Sequence, residues 1–213
     1  FLNNQSATIS NITINGGTNG LSIANNTGTT TLSNINVSNV SGDALSFSNN
    51  TGVINVSGFT ATNTGDDAIA VTGGGTFGFT GTTTLSGLGA GATSDGIDLS
   101  NTNNATLTFG DVDVTGLGGG TGLNMAGADA TLTMQSLDIT GTGVAGSKGV
   151  DLSGTQNGRT VSITNGGTIT NVDVGLVLGT NGGALAAPDA VFTWGGGDIG
   201  GLTYALDGIG VNA

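Results

Sequence analysis

Two stretches, ATLTFGDVDV at 105–114 and ATLTMQSLDI at 130–139, are near copies whose starts lie 25 residues apart (130 − 105). In the first, Leu107 and Phe109 alternate with polar residues, the pattern breaks at Gly110-Asp111, and Val112 and Val114 resume it. A period of two sends one face of an extended strand inward and the other outward. The Gly-Asp break reads as a corner. The same signature recurs as ATISNITI (7–14) and TTLSNINV (30–37), with VINVSGFTA (53–61), TVSITN (160–165) and VFTWGGGDI (191–199) as looser relatives.

A second signature follows each of these, a Gly or Asp ahead of a short alternating apolar stretch: NGLSI, GDALSF, GDDAIAV, SDGIDL, GTGLNM, SKGVDL and VGLVL. Their first apolar residues are Leu21, Leu45, Ile69, Ile97, Leu123, Val150 and Leu176, in steps of 24, 24, 28, 26, 27 and 26. A weaker eighth copy lies in GLTYAL, 201–206. Strands separated by Gly, Asn and Ser corners, returning every ~25 residues without helix-period patterning, predict an all-β parallel β-helix. We expect about eight rungs of three short strands over 1–213, with looser rungs carrying loop insertions at 73–93 and 179–197. Stacking then defines columns. Ile23, Phe47, Val71, Leu99, Met125, Leu152 and Leu178 are expected to stack inside one face, and Phe109, Met134, Ile163 and Trp194 inside another. Asn25, Asn49 and Asn101 each lie two residues beyond an inward residue, where asparagine tolerates a left-handed corner and stacked amides can bond along the column.

Composition agrees and excludes several functions. Gly supplies 43 of 213 residues and Pro one, and charged residues are 8%, against about 25% in ordinary globular domains. All 14 acids are Asp, Lys148 and Arg159 are the only cations, and the net charge is −12. Nucleic-acid binding relies on Lys and Arg neutralising phosphates, so neither nucleic acid nor an anionic membrane is an expected partner. Cysteine is absent, which removes disulfides and thiolate metal sites. No apolar run reaches the ~18 residues a membrane helix needs. The chain starts and stops in mid-pattern, and we read it as an excerpt of something longer.

The motif A-T-L-T-x-x-x-Φ-D-Φ-T-G followed by G-x-Φ-x-Φ (Φ, apolar) resembles the pectin-lyase-like right-handed parallel β-helix. It is closest to the Thr/Asn/Gly-rich, cysteine-free repeats of bacterial autotransporter passengers and filamentous adhesins. That resemblance covers nearly the whole chain and implies an extracellular, cell-surface stalk or fibre segment of a Gram-negative bacterium, without catalysis. Its implied partners are further copies, end to end or side by side, or surface glycans.

The acids invite other readings. Asp43, Asp67 and Asp95 each stand two residues before the first inward apolar residue on three consecutive rungs, with Asp66 adjacent. Rung spacing would set such carboxyls about 5 Å or 10 Å apart, the separations used in glycoside hydrolysis. GDDAIAV and SDGIDL resemble the double-aspartate and Asp-Gly motifs of polygalacturonases, which implies a polysaccharide-active enzyme using Asp66, Asp67 and Asp95. Here the motif order is reversed, and the family's His and Arg-x-Lys are missing. The acids equally fit turn formers bonding their own backbone, or calcium ligands at Asp43, Asp66, Asp67 and Asp95. Asp113 with Asp138, and Asp98 with Asn124 and Asp151, form further outward columns. Thr106, Thr108, Thr131 and Thr133 make a two-rung outward array of the kind an ice-binding face would use. Lys148 reads as a solvated charge and Trp194 as a core cap.

Overall fold

A computed structural model describes residues 6–153, 160–178, 191–200 and 204–207. Every element among them is a β-strand, and every strand pairing is parallel. Parallel neighbours cannot be joined by a tight hairpin. Here the connection is the rest of the rung, and the chain winds as a β-solenoid of about seven turns, close to the eight expected.

Each rung has three walls, but two of its strands usually run together. Thr29–Val40 and Val53–Thr64 are continuous strands, each bent between walls at a left-handed residue, Asn34 (φ 53°) and Gly58 (φ 67°) respectively, with a second near its end, Asn39 (φ 56°) and Asn63 (φ 53°). A single residue with positive φ turns the chain without interrupting the ladder, and Asn and Gly enter that region at the lowest steric cost. The third wall is made of short pieces such as Leu45–Ser48, Thr121–Asn124 and Lys148–Asp151.

Alternation within a strand and stacking between rungs together make the core. On the first wall Ile9, Leu32, Val56, Phe79, Phe109, Met134, Ile163 and Trp194 lie in one register column. On the third wall Leu21, Leu45, Ile69, Ile97, Leu123, Val150 and Leu176 do the same. Ile23, Phe47, Val71, Leu99, Met125 and Leu152 are buried, and Leu178 is partly buried against them. Burying a side chain of this size contributes roughly 1.5–3 kcal/mol, and a lone rung would leave both its ends wet. The middle of the rod is aromatic: Phe79 stacks on Phe109 with centroids 4.3 Å apart, and Phe47 contacts Phe77 at 5.2 Å.

Two sequence expectations about the fold need correction. Residues 73–93 are mostly wall, since Ile69–Ser86 is one strand in which Phe77, Phe79 and Leu85 are buried. The glycines that read as looseness form a corner at Gly73 and Gly75 (φ 84° and 117°), and Gly78 fills an outward place between two inward phenylalanines. Only 87–93 leave the ladder before the next rung. Asn101 is not a left-handed corner. It pairs with Thr72 inside the strand Ile97–Leu117, where a register shift accommodates extra residues, and the positive φ of that rung falls on Asn104 (55°). The Thr-x-Thr array keeps its two rungs: Thr106/Thr108 and Thr131/Thr133 are in register, and the flanking rungs carry Thr76/Gly78 and Thr160/Ser162. Of the expected insertion at 179–197, residues 179–190 lie outside the described residues, as do 201–203 of the eighth copy; its remainder pairs with the third wall through Leu176 and Leu206.

Candidate functional site

The third wall begins with the acids. Backbone bonds from Ala44 to the Asp67 carbonyl and from Ala68 to the Asp95 carbonyl place Asp43, Asp67 and Asp95 on successive rungs of one column, which continues to Thr121 and Lys148. The residue after each acid is Ala or Gly because the wall crosses close over the second wall there. A Cβ on Gly96, which follows Asp95, would meet Val114 Cγ1 of the second wall at 3.2 Å. The motif D-[AG]-Φ is thus fixed by packing, with the acid at the rim of the core.

Each carboxylate is held by the rung above it. The backbone N–H of Asp95 donates to Asp67 Oδ1 (2.9 Å), and that of Thr121 to Asp95 Oδ1 (2.6 Å). Asn124 Nδ2 donates to Asp95 Oδ2 (2.7 Å), and the Asp67 amide likewise serves the Asp43 carboxylate. Asp67 is 8% and Asp95 3% exposed, while Asp43 and Asp66 are half-buried at the mouth of the column.

Burial is costly for a carboxylate with no cation beside it. It pushes the Asp67 carboxyl up to about 8, backbone hydrogen bonding opposing and Asp98, Asp95 and Asp66 adding repulsion. Burial pushes Asp95 up to about 6, restrained by the Thr121 amide and Asn124. Asp43 is raised as well, by burial and then by Asp66. Asp67 therefore keeps its proton at neutral pH, a property shared by catalytic acids and by buried structural ones.

Where the column reaches Lys148, the chemistry changes. Lys148 is not simply solvated: its ammonium pairs with Asp151, whose side chain is 4% exposed. Burial alone would raise the Asp151 carboxyl, but Lys148 and the Ser153 hydroxyl and amide outweigh it and hold the group below the usual carboxylate range. Among the described residues no three His, Cys, Asp or Glu side chains converge as metal ligands.

The asparagines divide differently from the expectation. Asn25 and Asn49 do adopt the left-handed backbone (φ 55° and 52°), with Gly73 next in the column. Amide-to-amide bonds form elsewhere, from Asn39 to Asn15 (2.8 Å), Asn63 to Asn39 (3.0 Å) and Asn34 to Asn11 (3.1 Å). The buried pair is Asn26 and Asn50, both fully enclosed: Asn50 Oδ1 accepts the Asn26 amide (2.8 Å), and its Nδ2 donates to the Ile23 carbonyl (3.1 Å). The signal was the doublet Asn-Asn-Thr-Gly at 25–28 and 49–52, whose second Asn turns inward. Trp194 packs partly buried against the core, 6.3 Å from Phe192.

No helix among the described residues is long and apolar enough to cross a membrane. Compared with known proteins, the chain matches no family model, no curated protein and no solved structure.

Proposed function

We propose that this chain is a non-catalytic, extracellular β-solenoid segment of a large bacterial surface protein, serving as a stalk or fibre element. The observation that carries this reading is the use to which Asp67 and Asp95 are put. A general acid, base or nucleophile must reach a substrate atom. Both carboxylates are instead almost wholly buried and accept N–H bonds from the next rung. They close the ladder at a place where the chain changes wall and amides would otherwise lack partners. A polyanionic polymer would also meet a chain of net charge −12.

A rod whose rungs repeat one cross-section carries length without needing a pocket, which suits a stalk. Further copies or surface glycans are the partners this role offers, and a Gram-negative cell surface is its setting. The test is incubation of the purified chain with a panel of uronic and neutral polysaccharides, scored by new reducing ends, beside Asp95→Asn. We expect no product from either protein, and a lower melting temperature for the variant at acidic or neutral pH. Polymer cleavage by the wild type that Asp95→Asn abolishes would overturn the assignment.

A further inference from the structure

The outward face of the first wall has a composition that the stalk role does not require. Its pairing places Ser6, Thr29, Val53, Thr76, Thr106 and Thr131 in one register column, with Thr160 and then Val191 beyond. Two residues on, Thr8, Thr31, Asn55, Gly78, Thr108, Thr133, Ser162 and Thr193 form a second column. Hydroxyls fill both columns on the rung of Thr29 and Thr31 and, without a break, on the rungs of Thr106/Thr108, Thr131/Thr133 and Thr160/Ser162, while Val53, Asn55 and Gly78 interrupt them between.

Three further observations separate this face from an ordinary threonine-rich sheet. First, neither column contains a charged residue, in a chain of net charge −12. The equivalent outward column of the second wall carries Asp113, Asp138 and Asp198, and that of the third carries Asp98, with Asp151 buried against Lys148 further along it. Strand preference for Thr would not sort charge by wall. Second, every register shift falls at a corner or on another wall, and the first wall is in continuous register from Ser6–Ser10 to Val191–Trp194. Third, neither column contains an aromatic side chain, which a sugar-stacking platform would present.

We propose that this face binds crystalline water, the surface of ice. Over the rungs of Thr106, Thr131 and Thr160 the lattice supplies hydroxyls every ~4.8 Å across strands and every ~6.7 Å along them, spacings close to repeats in the oxygen lattice of ice. β-Branched side chains are stiff about χ1, so the array is ordered before it meets its ligand and little entropy remains to be lost. Two columns without charge, with Asp129 only at their corner edge, suit an uncharged ligand. The methyl beside each hydroxyl favours an ordered water layer over bulk hydration. Thr29, Thr76, Thr106, Thr108, Thr133 and Thr160 are exposed for that contact.

The experiment uses the full chain, labelled with a fluorophore, and measures its partitioning into a slowly grown ice surface and its thermal hysteresis. Thr108→Lys and Thr133→Lys lie on adjacent rungs of the array. Each should lower ice enrichment at least tenfold while leaving the circular dichroism and melting curve unchanged. Thr168→Lys, exposed on the second wall, should keep full enrichment. Wild-type exclusion from ice overturns the proposal. So does equal loss in Thr168→Lys, preferential binding to crystalline cellulose or chitin, or mass growth in light scattering that Thr108→Lys abolishes without any ice enrichment. The stalk reading is scored on polysaccharide cleavage, so either can fail alone.

Discussion

The backbone amide of Asp95 donates to the carboxylate of Asp67, 28 residues earlier in the chain and one rung away in space. Both residues are buried, and their neighbours Asp43, Asp66 and Asp98 are acids too. Such a column is more easily folded when it carries protons. The folded pKa of Asp67, about 8, lies above its ordinary 3.8, as does the 6 of Asp95. The folded state therefore binds more protons than the unfolded one between pH ~4 and ~8, and stability falls as pH rises through that window. Melting temperature should be highest near pH 4–5 and decline to about pH 8, opposite to ordinary acid denaturation. Below pH 4 the low-pKa Asp151 takes over and stability drops again. Asp67→Asn should flatten the decline by at least about 1 kcal/mol, roughly 2–4 °C for a chain of this size. Melting curves from pH 4 to 9 check this, and a curve unaffected by the substitution would contradict it.

Asn50 is the asparagine whose loss should matter most. Its side chain joins the Asn26 amide to the Ile23 carbonyl, and Asn26 in turn accepts the Thr30 hydroxyl (3.1 Å), all away from water. Asn50→Ala leaves these buried groups short of partners, at about 1–3 kcal/mol for each one stranded. We expect a loss of about 2–4 kcal/mol in urea unfolding. Asn15→Ala removes the ladder bond from Asn39 on the exposed surface without touching a left-handed residue; water replaces it, and the change should cost under about 1 kcal/mol. Similar losses for the two would mean that the ladders, and not burial, set the energetics.

How much of this was legible depended on which residues repeat. Leu107 and Phe109 announced the first wall by alternation, and the column through Met134, Ile163 and Trp194 followed from spacing alone. The acid column was legible for the same reason, because Asp43, Asp67 and Asp95 hold a constant offset from Leu45, Ile69 and Ile97. What the acids do was not legible. Whether a carboxylate accepts an amide or faces a ligand depends on where the next rung's N–H falls, a distance between residues some 25 positions apart. Asn101 shows the limit more sharply: it keeps the offset of Asn25 and Asn49, yet longer spacing to the next wall moved the turn to Asn104. At 73–93 glycine was read as looseness, although Gly78 merely stands between Phe77 and Phe79 on a wall.

Thr64 occupies a core position, 2% exposed and paired in register with Val40, and its hydroxyl has no hydrogen-bond partner. Removing a buried hydroxyl without a partner relieves a desolvation cost of about 1–3 kcal/mol. Valine has nearly the same shape and the strand preference of the position. Thr64→Val should therefore raise stability by about 1 kcal/mol, visible as a higher urea midpoint with an unchanged slope. Destabilisation would show that the hydroxyl has a partner after all, such as a bound water.

Asp113 and Asp138 face outward directly across the second wall, with Asp111 nearby. Partial burial raises the Asp113 carboxyl first, and repulsion from Asp138 and Asp111 adds to it. Like charges directly opposite on a sheet are destabilising, and salt screens exposed pairs, the Debye length falling from about 10 Å at 0.1 M to 3 Å at 1 M. Sodium chloride should therefore raise the melting temperature modestly at pH 7. Asp138→Asn should mimic part of that rise at low salt, because an amide oxygen can still accept the Thr168 N–H (2.8 Å) that Asp138 accepts now. The same titration separates screening from a bound cation. If the acids act only as a charged surface, calcium matched to sodium chloride in ionic strength gives the same increment, and EDTA in excess salt changes nothing. A calcium increment well above the matched salt, lost in Asp138→Asn, would instead assign a cation to this outward column.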